Sequence, residues 1–300
     1  MTKFPLYGVV DIGSNAIRIL FANIITINKE IIVYKNSLLR LPLRLGKDVY
    51  KNGKISSKKA NLLLESLKIF ESSTRIYKPK TIGVYATAAL REAENADKIL
   101  KFIKKETGFD IIIIDGQEEA RIIKELYENK GNSKKYKLFC DLGGGSLELT
   151  ILCPNGRYKS ESFKIGAVRA LTSDISKDEI NNMHKWIDKN LPANRKDIYF
   201  IGSGGNINTM KSLFSTATEK YLTIDKIKNI LELIEPLKIK DRISMYRLKL
   251  ERADVIVPAA KIFIDLMEYC KINKVYVPGG GLSDGLILQL HKKTQNYTKL

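Results

Sequence analysis

FPLYGVVDIGSNAIRILFANIITI, residues 4–27, is the stretch of sequence that decides the fold. Its two apolar runs, 4–10 and 16–27, are separated by a short segment that contains Gly13, which predicts a strand, a tight turn and a second strand. Residues 30–41 form another apolar run and predict a third strand. The chain therefore opens with a β-hairpin that continues into a third strand.

The same pattern returns in the second half of the chain as KLFCDLGGGSLELTIL, residues 137–152. We predict strands over 137–141 and 147–152, with a glycine-rich turn between them. A hairpin that appears twice, each time followed by alternating helical and β-rich segments, indicates an α/β duplication.

The segments between the hairpins have the periodicity of helices and short strands. Residues 57–77 place apolar side chains at helical spacing, which predicts an amphipathic helix. We predict one domain over residues 1–127 and a second over 128–300, with the last helix able to pack back on the first domain. A chain of 300 residues is long enough for two cores.

The net charge of +18 is the strongest signal in the composition. It indicates a polyanionic partner such as polyphosphate, nucleic acid or an acidic surface. Lysines on solvated helix faces are the competing explanation, and composition alone does not choose between them. We do not expect a nucleic-acid partner, because the sequence contains no recognised nucleic-acid-binding motif.

The cysteine and histidine content argues against zinc. Cys140, Cys153 and Cys270 are odd in number and lack CxxC spacing, and the histidines are His184 and His291. No apolar run is long enough to cross a bilayer, and the N-terminus lacks the regions of a signal peptide. We expect a cytoplasmic protein with reduced thiols and no membrane partner.

Glycine-rich turns after strands can bind phosphate, because their backbone N–H groups are accessible. Asp11 and Asp141 each precede one of these turns, where a carboxylate could hold a divalent cation. Tight hairpins that need positive φ are the structural alternative for any single turn. The turns are Gly13-Ser14-Asn15, Gly143-Gly144-Gly145-Ser146, Gly202-Ser203-Gly204-Gly205 and Gly279-Gly280-Gly281.

Three further charged residues are candidates for catalysis. Glu118 and Glu119 come just after a predicted buried strand, at a helix start. For Glu118 we prefer an interaction with the helix dipole, and for Glu119 a role as the general base that activates water. Arg91 follows a predicted strand and could hold a phosphate oxygen, or it could be a surface helix arginine.

Taken together, these segments resemble the exopolyphosphatase/guanosine pentaphosphate phosphatase family, within the sugar kinase–actin–heat-shock chaperone superfamily. The resemblance covers nearly the whole chain, and the motifs with Arg91 and Glu119 are specific to this family. The matching stretches are DIGSNAIR at 11–18, ATAALREAEN at 86–95, GQEEAR at 116–121, DLGGGSLE at 141–148, GSGG at 202–205 and GLSDG at 281–285.

The resemblance implies two ribonuclease-H-like (actin-like ATPase) domains with the active site in the cleft between them. It implies that Glu119 is the general base, and that Asp141 and Glu148 place a magnesium ion and the attacking water. The implied phosphate ligands are Gly143, Gly144, Gly145 and Ser146 from one domain and Ser14, Asn15 and Arg91 from the other, with Asp11 near the metal.

The sequence departs from the family pattern at a few positions. Asn206 stands where a threonine or serine is usual, and Ser283 and Asp284 replace a frequently basic position. We expect these changes to affect substrate length preference. Since the long family members carry a C-terminal helical extension beyond the point where this chain ends, we expect short polyphosphates or nucleotides as substrates.

The leading functional hypothesis is a magnesium-dependent exopolyphosphatase. The near alternative is a phosphatase that converts guanosine pentaphosphate (pppGpp) to the tetraphosphate, since one site serves both. A remoter alternative is an actin-like or chaperone-like ATPase, and a silent polyanion-binding protein is disfavoured. The resemblance also makes a homodimer plausible.

Overall fold

The computed structural model describes residues 4–27, 30–132, 134–173, 175–195, 198–216 and 218–297. By their internal contacts, these residues form two compact units. The first contains the chain up to Asp115 together with the segment from Leu282 onward, and the second is Gly116–Gly281. The domain boundary after residue 127 stays a prediction, because compactness alone does not show where an independently folding domain ends.

The described residues contain strands and helices in alternation. The strands are β1 Leu6–Ile12, β2 Ile17–Ile27, β3 Glu30–Leu41, β4 Thr81–Ala86, β5 Ile111–Ile113, β6 Tyr136–Leu142, β7 Leu147–Leu152, β8 Tyr158–Phe163, β9 Ile198–Ser203, β10 Tyr221–Thr223 and β11 Lys274–Tyr276.

The helices follow the same order along the chain. They are α1 Leu45–Asn52, α2 Ser57–Tyr77, α3 Ala88–Glu92, α4 Ala96–Thr107, α5 Gly116–Tyr127, α6 Arg169–Thr172, α7 Lys177–Asn190, α8 Gly205–Phe214, α9 Ile224–Ile234, α10 Ile239–Tyr246, α11 Leu250–Ala253, α12 Ile256–Tyr269 and α13 Leu282–Tyr297. Among the residues that the structure describes, none of these helices is long and apolar enough to span a membrane.

The sheet of the first unit has the strand order β3-β2-β1-β4-β5. β1 pairs with β2 and β2 with β3 in antiparallel fashion, whereas β4 lies parallel to β1 and β5 parallel to β4. The hairpin and third strand predicted from residues 4–41 are confirmed. The parallel pairing brings the end of β4 beside the end of β1, where the first glycine-rich turn begins.

The second unit repeats this arrangement. Its sheet has the order β10-β11-β9-β6-β7-β8, with β6, β7 and β8 antiparallel and with β9 and β11 parallel to β6. The short strand β10 is added antiparallel to β11 at the edge. Two sheets that share this order confirm the duplicated α/β, ribonuclease-H-like fold class that the sequence predicts.

The core of the first unit forms between its sheet and α2, as the apolar spacing predicts. Ser56 caps this helix by accepting a hydrogen bond from the backbone N–H of Lys59. Its buried face then packs against β1 and β2. The face consists of Ala60, Leu63, Leu64, Leu67 and Phe70, all of which the sequence predicts to lie on one side.

The structure differs from the expected elements in the second half. The sequence predicts a helix over about residues 253–270, and the structure has α12 there, but α12 begins only at Ile256 and the separate short helix α11 precedes it. Pro258 accounts for this start, because a proline lacks the N–H of a helix interior but fits a first turn. The helices α1 and α10 were not predicted, and neither has a long periodic run.

Candidate active site

Two carboxylates of the second unit lie opposite each other where β6 and β7 pair. Asp141 and Glu148 are direct partners in this antiparallel ladder, so their side chains leave the same face of the sheet. They are 8% and 3% exposed. Two buried carboxylates this close repel each other unless hydrogen bonds or a cation compensate their charge.

Ser162 orients one of these carboxylates. It lies opposite Glu148 on the neighbouring strand β8, and its hydroxyl donates a hydrogen bond of 2.9 Å to Glu148 Oε1. Sequence reasoning missed Ser162, because only the register between β7 and β8 brings the two residues together.

A third carboxylate, Glu119, lies in the first turn of α5 and is 5% exposed. The helix can begin this close to β7 and β8 because its first residue is Gly116. A Cβ atom at that position would lie 2.4 Å from Ser162 Oγ and 3.7 Å from Glu148 Oε1. The first turn of α5 therefore starts beside the Glu148 carboxylate.

The neighbouring Glu118 has a different environment. It accepts hydrogen bonds of 2.7 and 2.8 Å from Arg121, one helical turn away, and its side chain is 33% exposed. Arg121 also contacts Glu125. Glu118 thus belongs to a partly solvated ion-pair network on the surface of α5, whereas Glu119 is buried.

The carbonyl groups of the turn Gly143–Ser146 accept hydrogen bonds from residues at the start of α6. Its own closing bond runs from the Gly143 N–H to the Ser146 carbonyl, at 3.0 Å. The Arg169 side chain donates to the Gly145 carbonyl at 2.8 Å, and the backbone N–H of Val168 donates to the Gly144 carbonyl at the same distance. These bonds fix the carbonyl side of the turn, and backbone N–H groups of such turns are what binds phosphate.

The turn that ends β9 contacts Asp141 directly. Gly204 has φ 100° and ψ 163°, a conformation essentially restricted to glycine. A Cβ atom there would lie 2.8 Å from the Leu142 carbonyl oxygen and 3.0 Å from Asp141 Oδ1. A Cβ atom on the following Gly205 would lie 1.9 Å from Arg252 Nη2, so the Arg252 side chain would have to move. Arg252 in turn donates to Asn206 Oδ1 at 2.7 Å.

The first glycine-rich turn of the chain, Gly13–Asn15, is closed by the same kind of hydrogen bond as the turn Gly143–Ser146. The Gly13 N–H donates to the Ala16 carbonyl at 3.1 Å, which matches the bond that closes residues 143–146. Ser14 is buried; its hydroxyl shares a hydrogen bond of 2.6 Å with the Tyr50 hydroxyl, and its backbone carbonyl accepts one from the Gly46 N–H. Asn15 is also buried.

Asp11 precedes this turn, and its carboxylate has two donors. Asp11 Oδ2 accepts hydrogen bonds from Arg18 Nη1 at 2.7 Å and from the Ser283 hydroxyl at 2.8 Å. Ser283 lies in α13, and the next residue, Asp284, forms an ion pair of 2.8 Å with Lys35. Ser283 and Asp284, where the sequence departs from the family pattern, therefore contact the turn and the sheet of the first unit. Nothing in the sequence indicates that residues this far apart are paired.

Arg91 lies in the last turn of the short helix α3, directly after β4. Its Nη1 donates to the Ile114 carbonyl at 2.8 Å, and the backbone N–H of Thr87 donates to the Ile12 carbonyl at the end of β1. The side chain is only half-buried. Arg91 thus occupies the same edge of the first sheet as the turn Gly13–Asn15.

Cys140 adjoins the carboxylate pair and has no nucleophilic role here. Burial, followed by the charges of Asp141 and Glu148, raises the pKa of the Cys140 thiol well above its ordinary value. A neutral, fully buried thiol is chemically inert.

The structure thus divides the proposed residues between the two units. The second unit contains Glu119, Asp141, Glu148, Gly143–Ser146, Gly204 and Gly205, and the first contains Asp11, Gly13, Ser14, Asn15 and Arg91. Within the described part of the chain, no set of three or more His, Cys, Asp and Glu side chains forms a ready metal site.

Two units with one strand order, each with a phosphate-type glycine turn after its first strand, define an actin-like ATPase fold. The profile of the Ppx/GppA phosphatase family matches residues 37–294. The chain belongs to this family, which confirms the resemblance seen in its motifs.

Curated relatives of two kinds are similar to the chain. A guanosine-5'-triphosphate,3'-diphosphate pyrophosphatase of Vibrio atlanticus is 24% identical over 298 residues, which are 95% of this chain and 59% of the relative. Exopolyphosphatase 1 of Mycobacterium tuberculosis is 25% identical over 306 residues, covering 94% of this chain and 87% of the relative. The chain thus spans about three fifths of the length of the pyrophosphatase relatives.

Solved structures agree on the fold. An exopolyphosphatase from Cytophaga hutchinsonii superposes with a TM-score of 0.78 at 22% identity, covering 96% of this chain and 98% of the other. The Aquifex aeolicus Ppx/GppA family member has a TM-score of 0.73 at 21% identity, covering 97% and 99%.

Proposed function

We propose that the chain is an exopolyphosphatase, which removes the terminal phosphate of inorganic polyphosphate by attack of water. The observation that carries the proposal is the buried pair Asp141 and Glu148 on the two strands that a glycine-rich turn joins, with a third buried acid, Glu119, in the first turn of α5 in the same unit. Burial of three acidic side chains costs free energy, and folding alone does not require it. A site that hydrolyses phosphate explains why these acids are buried. We also propose a cytoplasmic location.

In this proposal, Glu119 is the general base. A buried carboxylate at a helix start can accept a proton from water while the helix N-terminus stabilises its charge. Glu148, oriented by Ser162, positions that water for in-line attack on the terminal phosphorus. The neighbouring Glu118 has no such role, because its oxygens already accept hydrogen bonds from Arg121.

The phosphate itself is bound by backbone and side-chain donors. We assign the terminal phosphate to the N–H groups of the turn Gly143–Ser146, with Gly204 and Gly205 allowing close approach. Gly13, Ser14, Asn15 and Arg91 would bind phosphate oxygens in the same way in the first unit. Donors placed where negative charge develops are the main source of rate in phosphoryl transfer.

Asp141 and Glu148 are the residues that would hold a divalent cation, and magnesium is the ion that we propose. Their oxygen donors, their proximity and their burial suit a hard cation, and magnesium is usually bound by one or two carboxylates together with water and substrate phosphate. When bound, the ion would supply charge neutralisation at the phosphate oxygens. Asp11 as a further ligand stays a prediction, and its Oδ2 already accepts bonds from Arg18 and Ser283.

A guanosine pentaphosphate phosphatase is the second candidate. The relatives named guanosine-5'-triphosphate,3'-diphosphate pyrophosphatase match as much of this chain as the exopolyphosphatases do. The same residues would act on either substrate, because both end in a phosphoanhydride. The preference between them is therefore a question for an assay.

The test is phosphate release with magnesium from long polyphosphate, tripolyphosphate, guanosine pentaphosphate and ATP, at equal concentration of terminal phosphate. We expect polyphosphate to be preferred. Preference for guanosine pentaphosphate would establish the second candidate, and preference for ATP would indicate an actin-like ATPase. Release from none of them would refute the hydrolase proposal.

A further inference from the structure

Three arginines of the first unit lie close together beside its glycine-rich turn. Asp11, Arg18 and Arg40 form a row of direct partners across β1, β2 and β3, so their side chains leave the same face of the sheet. Arg44 follows β3, and its backbone N–H donates a hydrogen bond of 3.0 Å to the carbonyl of Asn15, the last residue of that turn. Arg40 and Arg44 have no part in the site proposed above.

The charges of these arginines act on one another. Burial, together with the charges of Arg18 and Arg44, lowers the pKa of the Arg40 guanidinium to about 10, so Arg40 remains protonated at neutral pH. Like charges directly opposite each other in a sheet are destabilising. Arg18 donates a hydrogen bond of 2.7 Å to Asp11, which compensates its charge. An anion that contacts Arg40 and Arg44 would reduce the repulsion among the three arginines.

The backbone of Arg44 has a strained conformation. Its φ of 56° and ψ of 44° are uncommon for a residue other than glycine. The other described non-glycine residues with positive φ are Lys78, Arg247 and Lys271. Each of them follows a helix, where a left-handed residue is common, whereas Arg44 precedes α1. The Arg44 carbonyl accepts a hydrogen bond from Lys59 Nζ, which helps to fix this conformation. Strain of this kind concentrates at ligand-binding positions.

Guanidinium groups in this position suit phosphate. Each presents N–H donors in a planar fork, which can bind two phosphate oxygens at once. The side chains of Arg40 and Arg44 are half-buried, so a ligand can reach them while water competes less for them than at a fully exposed site. The adjoining turn Gly13–Asn15 is already assigned to phosphate oxygens, so linked phosphates could contact the turn and the arginines together.

We propose that Arg40 and Arg44 form a phosphate site, which binds the phosphate next to the one at the turn Gly13–Asn15. The ligand is a chain of phosphoanhydrides, as in inorganic polyphosphate or in the triphosphate end of a nucleotide. The proposal rests on the proposed function for the identity of the anion. It adds the two residues that make binding of linked phosphates stronger than binding of a single phosphate.

The experiment measures equilibrium binding of tripolyphosphate to the whole chain and its variants by calorimetry in EDTA. Arg44→Gly removes the guanidinium but keeps the backbone N–H that contacts Asn15, and glycine adopts the left-handed conformation without strain. We expect the Kd to rise roughly ten- to a hundredfold, as is typical for the loss of hydrogen bonds to a charged group.

Arg247→Gly is the matched control, because Arg247 is an exposed arginine with a similar φ of 51°. It should bind tripolyphosphate as the wild type does. Both variants should keep a thermal stability close to that of the wild type, since relief of backbone strain offsets the greater flexibility of the unfolded chain.

Arg40→Gln tests the second arginine, and its Kd for tripolyphosphate should rise by a similar factor. Arg40→Lys keeps the charge but loses the planar fork, so we expect an intermediate affinity. A merely structural role for Arg40 would instead lower the thermal stability of both variants and leave the Kd unchanged. Wild-type affinity in Arg44→Gly or in Arg40→Gln would overturn the proposal, and so would a wild-type chain that does not bind tripolyphosphate.

Two further comparisons separate this proposal from the others. An equal loss of affinity for guanosine pentaphosphate would show that any triphosphate end occupies the site, and a loss confined to tripolyphosphate would assign the site to inorganic chains. Because EDTA removes divalent cations, binding is measured without the proposed hydrolysis. Binding that depends on the two arginines, in a chain that releases no phosphate, would refute the hydrolase proposal alone.

Discussion

At the residue scale, the two hairpins differ in the residue that faces their aspartate across the ladder. Asp11 pairs with Arg18 across β1 and β2, and Asp141 pairs with Glu148 across β6 and β7. The first pair compensates its own charge, with the two side chains 2.7 Å apart. The second pair is two acids. The difference between arginine and glutamate at equivalent positions is therefore the reason that we propose the second hairpin, and not the first, for the divalent cation.

Glu119→Gln should abolish hydrolysis and leave polyphosphate binding largely intact. The amide keeps the size of the side chain but cannot accept a proton, and general-base catalysis typically contributes 10²- to 10⁴-fold, so we expect a loss of about that size. Phosphate release and equilibrium binding of polyphosphate measure the two effects.

The control is Glu118→Gln, which changes the neighbouring carboxylate in the same helical turn. It should lose only a partly exposed ion pair with Arg121 and retain full activity. Unchanged hydrolysis in Glu119→Gln would remove this residue from the role of base.

Ser162→Ala should lower the rate of hydrolysis with little change in KM. Hydrogen bonds to charged groups contribute about 1.5–3 kcal/mol, so the loss should be roughly ten- to a hundredfold if Glu148 must be held in place. Steady-state kinetics of phosphate release provide the measurement.

Ser160→Ala is its control on the same strand. It removes a comparable bond to Thr150, at 2.8 Å, away from the carboxylates. Similar losses of thermal stability in both variants, with a rate defect in Ser162→Ala alone, are expected. Equal rates in the two would show that Ser162 does not orient the site.

At the scale of elements, the tight turn after β9 places α8 against Asp141. Gly204→Ala should displace the Asp141 carboxylate, because a methyl group would approach Asp141 Oδ1 and the Leu142 carbonyl. We expect loss of both activity and stability, measured by phosphate release and urea denaturation. The backbone strain alone costs about 1–3 kcal/mol.

The control variant Gly108→Ala shows the effect of backbone strain without a steric clash. Gly108 also has positive φ, 73°, at the end of α4, but nothing lies within 4 Å of its added Cβ. This variant should lose about 1 kcal/mol of stability and keep its activity. An active Gly204→Ala enzyme would contradict the proposed role of this turn.

At the scale of the whole molecule, the net charge of +18 should appear in the salt dependence of binding. Raising the salt concentration should weaken binding of long polyphosphate more than binding of tripolyphosphate, because more lysine and arginine contacts are screened along the longer chain. Binding constants of the two ligands, measured over a series of salt concentrations, give the slopes. Equal slopes would count against an extended basic surface.

Much of this molecule could be predicted from local pattern. The hairpin at residues 4–27, the repeat at 137–152 and the buried face of α2 follow from periodicity and turn chemistry, which act between near neighbours. The start of α12 at Ile256 could not be placed, because another helical turn, α11, ends just before it and the N-cap residue is Val255 rather than a residue whose side chain caps a helix.

The sequence by itself determined the duplication, the phosphate-type turns and the identity of the candidate carboxylates, since each is a property of contiguous residues. Only the tertiary structure decided their partners. Ser283 reaches Asp11 across 272 positions, and Ser162 reaches Glu148 through the register of a third strand. The physical reason is that a hydrogen bond depends on distances of a few ångströms, which packing and strand register set and which a local pattern does not contain.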